Sequence, residues 1–226
     1  MIRVLLVDDD ALVRAGLRMM LASASDMEVV GEAADGGEVV DLVERCEPDV
    51  VLMDIRMPSV DGLEATRLLR ARPRGRPEIL MLTTFTTDNY VLRALQAGAA
   101  GFLLKHTRPE LIIDAVRRGA AGEPVMSPEA LRQLIEAVTP RPAAQDAPAP
   151  PPAPGADDAR RRLALLGARE REVALAVAEG RTNAEIAAGL HMSVPTVKSH
   201  VSHILTKLEL NNRVQIALLV YRAGSV

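Results

Sequence analysis

At 226 residues, 48% of them hydrophobic and 25% charged, the chain has room for two modest domains and the make-up of an ordinary globular protein. One cysteine, Cys46, excludes an intrachain disulfide and a cysteine zinc cluster, and the apolar runs are too short for a membrane helix. The net charge of −3 hides an asymmetry: residues 1–138 hold 16 Lys+Arg against 22 Asp+Glu, whereas residues 160–226 hold 10 against 5, so only the second half suits a polyanion.

The N-terminus, "MIRVLLVDDD", meets acid too early for a signal peptide, and a cytoplasmic protein is the expectation. From there strand and helix patterns alternate. "IRVLLV" precedes "ALVRAGLRMMLAS", in which Leu12, Val13, Leu17, Met20 and Leu21 recur at helical spacing. "MEVVGEA" precedes "GGEVVDLVERC", "PDVVLMDI" precedes "DGLEATRLLRA", "PEILMLTT" precedes "TDNYVLRALQAG", and "AAGFLLK" precedes "RPELIIDAVRRG". Apolar strands that hardly alternate imply a parallel sheet covered by helices on both faces. The segment "SPEALRQLIEAV" predicts one more helix, followed by "TPRPAAQDAPAPPPAPGADDA" with seven of the fifteen prolines, a semi-rigid spacer.

After the spacer only helical patterns appear: "AREREVALAVAEG", "TNAEIAAGL", "SVPTVKSHVSHILTKLEL" and "NRVQIALLVYRAG". Thr182 with Glu185 forms a capping box, and Ser193 is a good N-cap with Pro195 tolerated in the first turn. A short helix, a tight connection from Gly189 to Ser193 and a longer helix make a helix-turn-helix layout.

Ligands of parallel sheets bind at the carboxyl ends of the strands. That edge collects Asp8, Asp9 and Asp10, Asp54, Thr83 and Thr84, and Lys105. Carboxylates beside one lysine make a hard-oxygen site suited to Mg²⁺. A carboxylate there could attack an activated phosphoryl group and become an aspartyl phosphate, with the lysine and a threonine hydroxyl holding the transferred oxygens. Asp10 has the position of an N-cap. Cys46 and His106 are expected to be an inert helix residue and a surface residue.

These motifs, "VLLVDDD", "VVLMDIRMPSVDGLEATRLLR", "ILMLTTF" and "AGAAGFLLK", resemble the receiver domain of two-component response regulators over residues 1–122. The resemblance implies a flavodoxin-like (βα)5 α/β fold. It implies Mg²⁺ on Asp8, Asp9, Asp54 and the Arg56 carbonyl, Asp54 as phosphoacceptor, and Thr83 and Lys105 sensing the phosphoryl group. Phe102 would repack when Thr83 moves. His106 departs from the proline common after the lysine, so no cis bond is expected there.

Residues 160–226 resemble the LuxR-type helix-turn-helix domain of nitrate-response and quorum-sensing regulators, through "REREV", "GRTNAEIA" and "SVPTVKSHVSHILTKL". An all-α four-helix domain is implied, with residues 123–159 as helix and linker. The third helix would enter the major groove. Lys198, Ser199 and Ser202 lie on its polar side, and Lys198 is the first candidate for a guanine or phosphate. Val197 has core spacing with Val201, Ile204 and Leu208, yet lies in the first turns and is counted with the DNA-facing set. Thr196, His200, Asn211 and Arg213 are expected on phosphates. For His200 and His203 a packed or solvated role stands equally open, and Asn183 has the place of a turn-shaping residue. Gly167 replaces the family's usual threonine cap, a loss of a few tenths of a kcal/mol, roughly. The last helix exposes Ile216, Leu219, Val220 and Tyr221 in helical register; some must pack under the recognition helix, and the family uses this helix to dimerise.

The resemblance implies a sensor histidine kinase, double-stranded promoter DNA and RNA polymerase as partners, a homodimer on DNA, and no enzyme beyond slow self-dephosphorylation. A rival reading is a haloacid-dehalogenase-like phosphatase, since Asp8-x-Asp10 follows the first strand. Asp8 would then be its nucleophile and Asp10 its general acid. A third is constitutive DNA binding with a degenerate receiver.

Overall fold

The computed structural model describes residues 1–72, 77–84, 90–126 and 156–224. Two compact units divide the chain, Met1–Leu134 and Ile135–Val226. The helix expected at "SPEALRQLIEAV" lies outside the described residues.

The first unit is a parallel sheet with helices on both faces. Its strands are β1 (Ile2–Val7), β2 (Met27–Ala33), β3 (Val50–Met53), β4 (Glu78–Thr83), β5 (Gly101–Leu104) and β6 (Val125–Met126), in the order β2-β1-β3-β4-β5-β6. Five strands match the expected repeats. The sixth is a two-residue edge that pairs Gly101 with Val125 and Phe102 with Met126. It closes that tightly because Gly101 has no side chain: a Cβ there would stand 2.5 Å from the Val125 carbonyl oxygen.

The helices are α1 (Ala11–Ala22), α2 (Val39–Cys46), α3 (Gly62–Arg70), α4 (Tyr90–Ala97) and α5 (Pro109–Ala120), with a 3-10 turn at Gly36–Glu38. Val4, Leu6, Val50, Leu52, Leu80 and Leu82 share one core with Leu17 and Leu21 of α1 and Ile112 and Val116 of α5. The alternate strand residues Leu5, Val51, Met53, Ile79 and Met81 are equally buried, on the face where α2, α3 and α4 pack against one another. Burial on both faces is why the strands read as continuous apolar runs. Leu12 departs from its expected core position and is 82% exposed.

The second unit is helical: α6 (Ala156–Ala164), α7 (Ala168–Ala178), α8 (Asn183–Leu190), α9 (Val194–Lys207) and α10 (Arg213–Arg222). Four of these were expected. The fifth, α6, starts inside the segment read as spacer, and its Ala159 and Leu163 join the core of Val173, Ile186, Val197, Ile204 and Ile216. Its arginines also cap other helices, since Arg160 Nε donates to the Ala223 carbonyl at 3.1 Å and Arg162 donates to the Leu208 carbonyl.

Candidate phosphoacceptor and nucleic-acid sites

The parallel register brings the acidic residues to one edge. β1 and β3 run side by side with Val7 opposite Met53, and the Asp54 N–H continues the ladder by donating to the Val7 carbonyl at 2.8 Å. Asp8 and Asp54 therefore leave their strands together. Carboxylate oxygens of Asp8, Asp9 and Asp54 lie within 4.8 Å of one another, with Asp8 and Asp54 buried and Asp9 exposed. The Lys105 N–H donates to the Thr83 carbonyl at 2.8 Å, which aligns the ends of β4 and β5 at the same edge. Lys105 Nζ then reaches Asp8 Oδ2 at 2.6 Å and Asp54 Oδ2 at 3.1 Å. Thr83 is buried at the end of β4, and Phe102 is fully buried on β5.

Burial raises the Asp54 carboxyl above the usual carboxylate range. The Lys105 charge and hydrogen bond oppose that, and the Asp8 carboxylate adds to it. Burial pulls the Lys105 ammonium down, but the hydrogen bond to Asp8 and the charge of Asp54 outweigh it and leave the lysine raised. Lys105 thus faces several acids in a partly dry cleft. Clustered carboxylate oxygens with an excess of negative charge fit a hard divalent ion such as Mg²⁺.

Asp10 stands apart from this cluster. Its Oδ1 accepts the Leu12 N–H at 2.8 Å as the N-cap of α1, while Asp8 Oδ1 accepts the Asp10 N–H at 3.0 Å. A helix cap is a poor placement for the general acid of the phosphatase reading. Gly62 closes the loop after Asp54: its N–H donates to the Ile55 carbonyl at 2.9 Å, and a Cβ would stand 2.0 Å from the Asp54 carbonyl oxygen. The Arg56 side chain is exposed, with its guanidinium 5.8 Å from the Tyr90 ring centroid. His106 is at the surface and Cys46 is half-buried.

In the second unit the Thr182–Glu185 capping box opens α8, with Glu185 Oε2 accepting the Thr182 N–H at 2.7 Å. Ser193 caps α9 by accepting the Thr196 N–H at 3.2 Å, with proline in the first turn. The chain reverses between these helices at His191, whose φ of 55° is left-handed, within the expected Gly189–Ser193 connection, and α8 runs on to Leu190. Gly167 opens α7 without a side-chain acceptor of its own. Glu170 Oε2 accepts the Gly167 N–H at 2.8 Å and also binds Lys207 Nζ at 2.9 Å, tying α7 to the end of α9.

Thr196, Lys198, Ser199 and Ser202 are exposed along α9, His200 is half-buried, His203 is exposed, and Asn211 is half-buried beyond the helix. Two expectations are corrected. Val197 is fully buried, because its core spacing prevails over its place in the first turns. Arg213 is buried, donating to Asn183 Oδ1 at 2.6 Å and to the Arg181 carbonyl, so it joins α10 to the start of α8 and offers no guanidinium to a phosphate. On α10, Ile216, Leu219 and Val220 are the ones that pack into the core, and Tyr221 alone of the four is exposed, at 75%. Sequence reasoning missed the Arg213–Asn183 and Glu170–Lys207 pairs, which no local spacing signals. Val194, apolar yet 38% exposed at the start of α9, was missed as well.

Two family models match the chain: the response regulator receiver domain over residues 4–117, and the bacterial regulatory proteins of the luxR family over residues 164–220. The response regulator protein VraR of Staphylococcus aureus is 38% identical over 221 residues, covering 98% of this chain and 97% of that protein. The crystal structure of the response regulator ChrA from a heme-sensing two-component system is similar with a TM-score of 0.50 and 35% identity, over 100% of this chain and 98% of that one. The receiver domain of the Mycobacterium tuberculosis response regulator NarL gives a TM-score of 0.52 and 37% identity, over 54% of this chain and 98% of that one.

Proposed function

The chain belongs to the response regulators that join a receiver domain to a LuxR-type DNA-binding domain, and we propose that it is a transcription regulator switched by phosphorylation of Asp54. The observation that supports this most is the set of Asp8, Asp9 and Asp54 oxygens within 4.8 Å, with Lys105 bridging Asp8 and Asp54 at 2.6 and 3.1 Å. A sensor histidine kinase presents a phosphohistidine. A carboxylate oxygen of Asp54 forms the new bond to phosphorus as the P–N bond breaks, and the electron pair leaves with the imidazole. Asp8, Asp9, Asp54 and the Arg56 carbonyl would hold Mg²⁺, which supplies charge neutralisation for the transferring group. Lys105 is freed from Asp54 to meet a phosphoryl oxygen, and the buried Thr83 hydroxyl meets another. The space Thr83 vacates is taken by Phe102.

The second unit binds promoter DNA through Thr196, Lys198, Ser199, His200 and Ser202 on α9, as a homodimer that engages RNA polymerase, in the cytoplasm. Among the described residues no helix is long and apolar enough to cross a membrane. The chain is a phosphoacceptor with at most slow self-dephosphorylation, and Asp10 is engaged in capping. Labelling by acetyl phosphate with Mg²⁺ should be abolished in Asp54→Asn, and persistent labelling would remove Asp54 as acceptor. Steady turnover of a phosphate ester, lost in Asp8→Asn but kept in Asp54→Asn, would reverse the reading toward a phosphatase.

A further inference from the structure

A carboxylate outside the acidic cluster holds the loop on which that cluster depends. Asp35 follows β2, and its Oδ1 accepts the Gly37 N–H at 2.9 Å. The same carboxylate crosses to the loop after Asp54: Oδ2 accepts the Ser59 N–H at 2.8 Å, and Oδ1 accepts the Val60 N–H at 3.2 Å. The connection is reciprocal, since the Gly36 N–H donates to the Val60 carbonyl at 3.1 Å. It is also closer than a side chain at position 36 would permit, because a Cβ there would stand 2.4 Å from that carbonyl oxygen. The start of the loop is closed by Gly62, whose N–H donates to the Ile55 carbonyl and whose missing Cβ would stand 2.0 Å from the Asp54 carbonyl oxygen. Residues 55–61 are therefore tied at two places, at Ile55 by Gly62 and at Ser59 and Val60 by Asp35, and Arg56 lies between them.

We propose that Asp35 is a positioning residue for the Mg²⁺ seat, holding the loop that follows Asp54 and carries the Arg56 carbonyl in the form that binds the ion. This rests on the reading that Asp8, Asp9, Asp54 and the Arg56 carbonyl bind Mg²⁺. Backbone N–H donors from Gly37, Ser59 and Val60 hold the Asp35 carboxyl below the usual range, so it stays ionised as their acceptor across the physiological range. A carboxylate is suited to this because it offers two oxygens to several donors at once, whereas an amide offers one. Groups that orient metal ligands without touching the ion typically change affinity by roughly 10–100-fold when removed.

The test is Mg²⁺ titration of the full chain by calorimetry, with metal-free thermal melts as the folding control. Asp35→Asn, which keeps one acceptor oxygen, should weaken Mg²⁺ binding by about tenfold, and Asp35→Ala by more, within that range. An unchanged Mg²⁺ affinity in a folded Asp35→Asn chain would overturn the proposal. A wild-type chain that binds no Mg²⁺ would instead sink the underlying metal reading. Amide hydrogen exchange needs no variant: Ser59 and Val60 should be protected in the metal-free wild type, and free exchange there would show that the loop is not held in advance.

Discussion

Replacing Arg213 by methionine separates a structural arginine from a DNA-contacting one. The guanidinium is buried and serves two acceptors, Asn183 Oδ1 and the Arg181 carbonyl. Methionine fills much of the volume but donates nothing, leaving both acceptors short of a partner. An unsatisfied buried polar group costs about 1–3 kcal/mol, so the two together should cost about 2–6 kcal/mol. In a domain of this size each kcal/mol lowers Tm by about 4–8 °C, so the DNA-binding unit should melt roughly 10 °C or more below wild type while the receiver transition stays put. The assay is a calorimetric melt of the full chain, paired with binding to a duplex over a range of salt. A phosphate-contacting arginine would reduce the slope of log K against log salt by about 0.9 when removed. Here the slope should be unchanged at temperatures where the variant is folded. Wild-type stability together with a slope lower by about one would refute the burial argument and return Arg213 to the phosphates.

His191→Gly should stabilise the second unit by about 0.5–1 kcal/mol, because the left-handed turn costs an L side chain more than glycine loses in chain entropy. A lower midpoint in urea would contradict the turn assignment. The Lys207 hydrogen bond, with the Gly167 N–H, holds the Glu170 carboxyl below its ordinary value. A depressed carboxylate contributes stability that is present above its unfolded pKa and lost as pH falls through the folded one. Glu170→Gln should therefore be less stable than wild type at neutral pH, with the gap closing as pH falls below about 4.3, and a pH-independent gap would count against the pair. Tyr221→Ala, at a residue 75% exposed, should change stability by no more than about 0.5 kcal/mol yet weaken self-association of the phosphorylated chain in sedimentation. Equal self-association would remove α10's exposed tip from the dimer contact.

The acidic edge was legible because parallel sheets impose it: once five apolar strands are recognised, Asp8, Asp54, Thr83 and Lys105 must meet at their carboxyl ends. Capping was legible too, since Asp10, Thr182 and Ser193 act within three residues of themselves. What escaped depends on partners distant in sequence. Arg213 looks like a free cation at a helix start, and only the fold reveals Asn183 thirty positions earlier, |i−j| = 30. The start of α6, "ADDA", resembles the end of a solvated linker, because what holds the helix is distant in sequence: Ala159 packs into the core, and Arg160 and Arg162 cap Ala223 and Leu208. Two residues of β6 are too few to carry a period, and Gly101 was the one local sign of the close approach. Leu12 fits the helical spacing but falls on the outer side of α1.

The central claim is that phosphorylation at Asp54 governs DNA binding by α9. Sequencing of DNA bound by the full chain, with and without acetyl phosphate and Mg²⁺, tests it most directly. Phosphorylation should enrich paired half-sites in the wild type and leave Asp54→Asn unaffected. The same sites bound equally well in both states would contradict the switch.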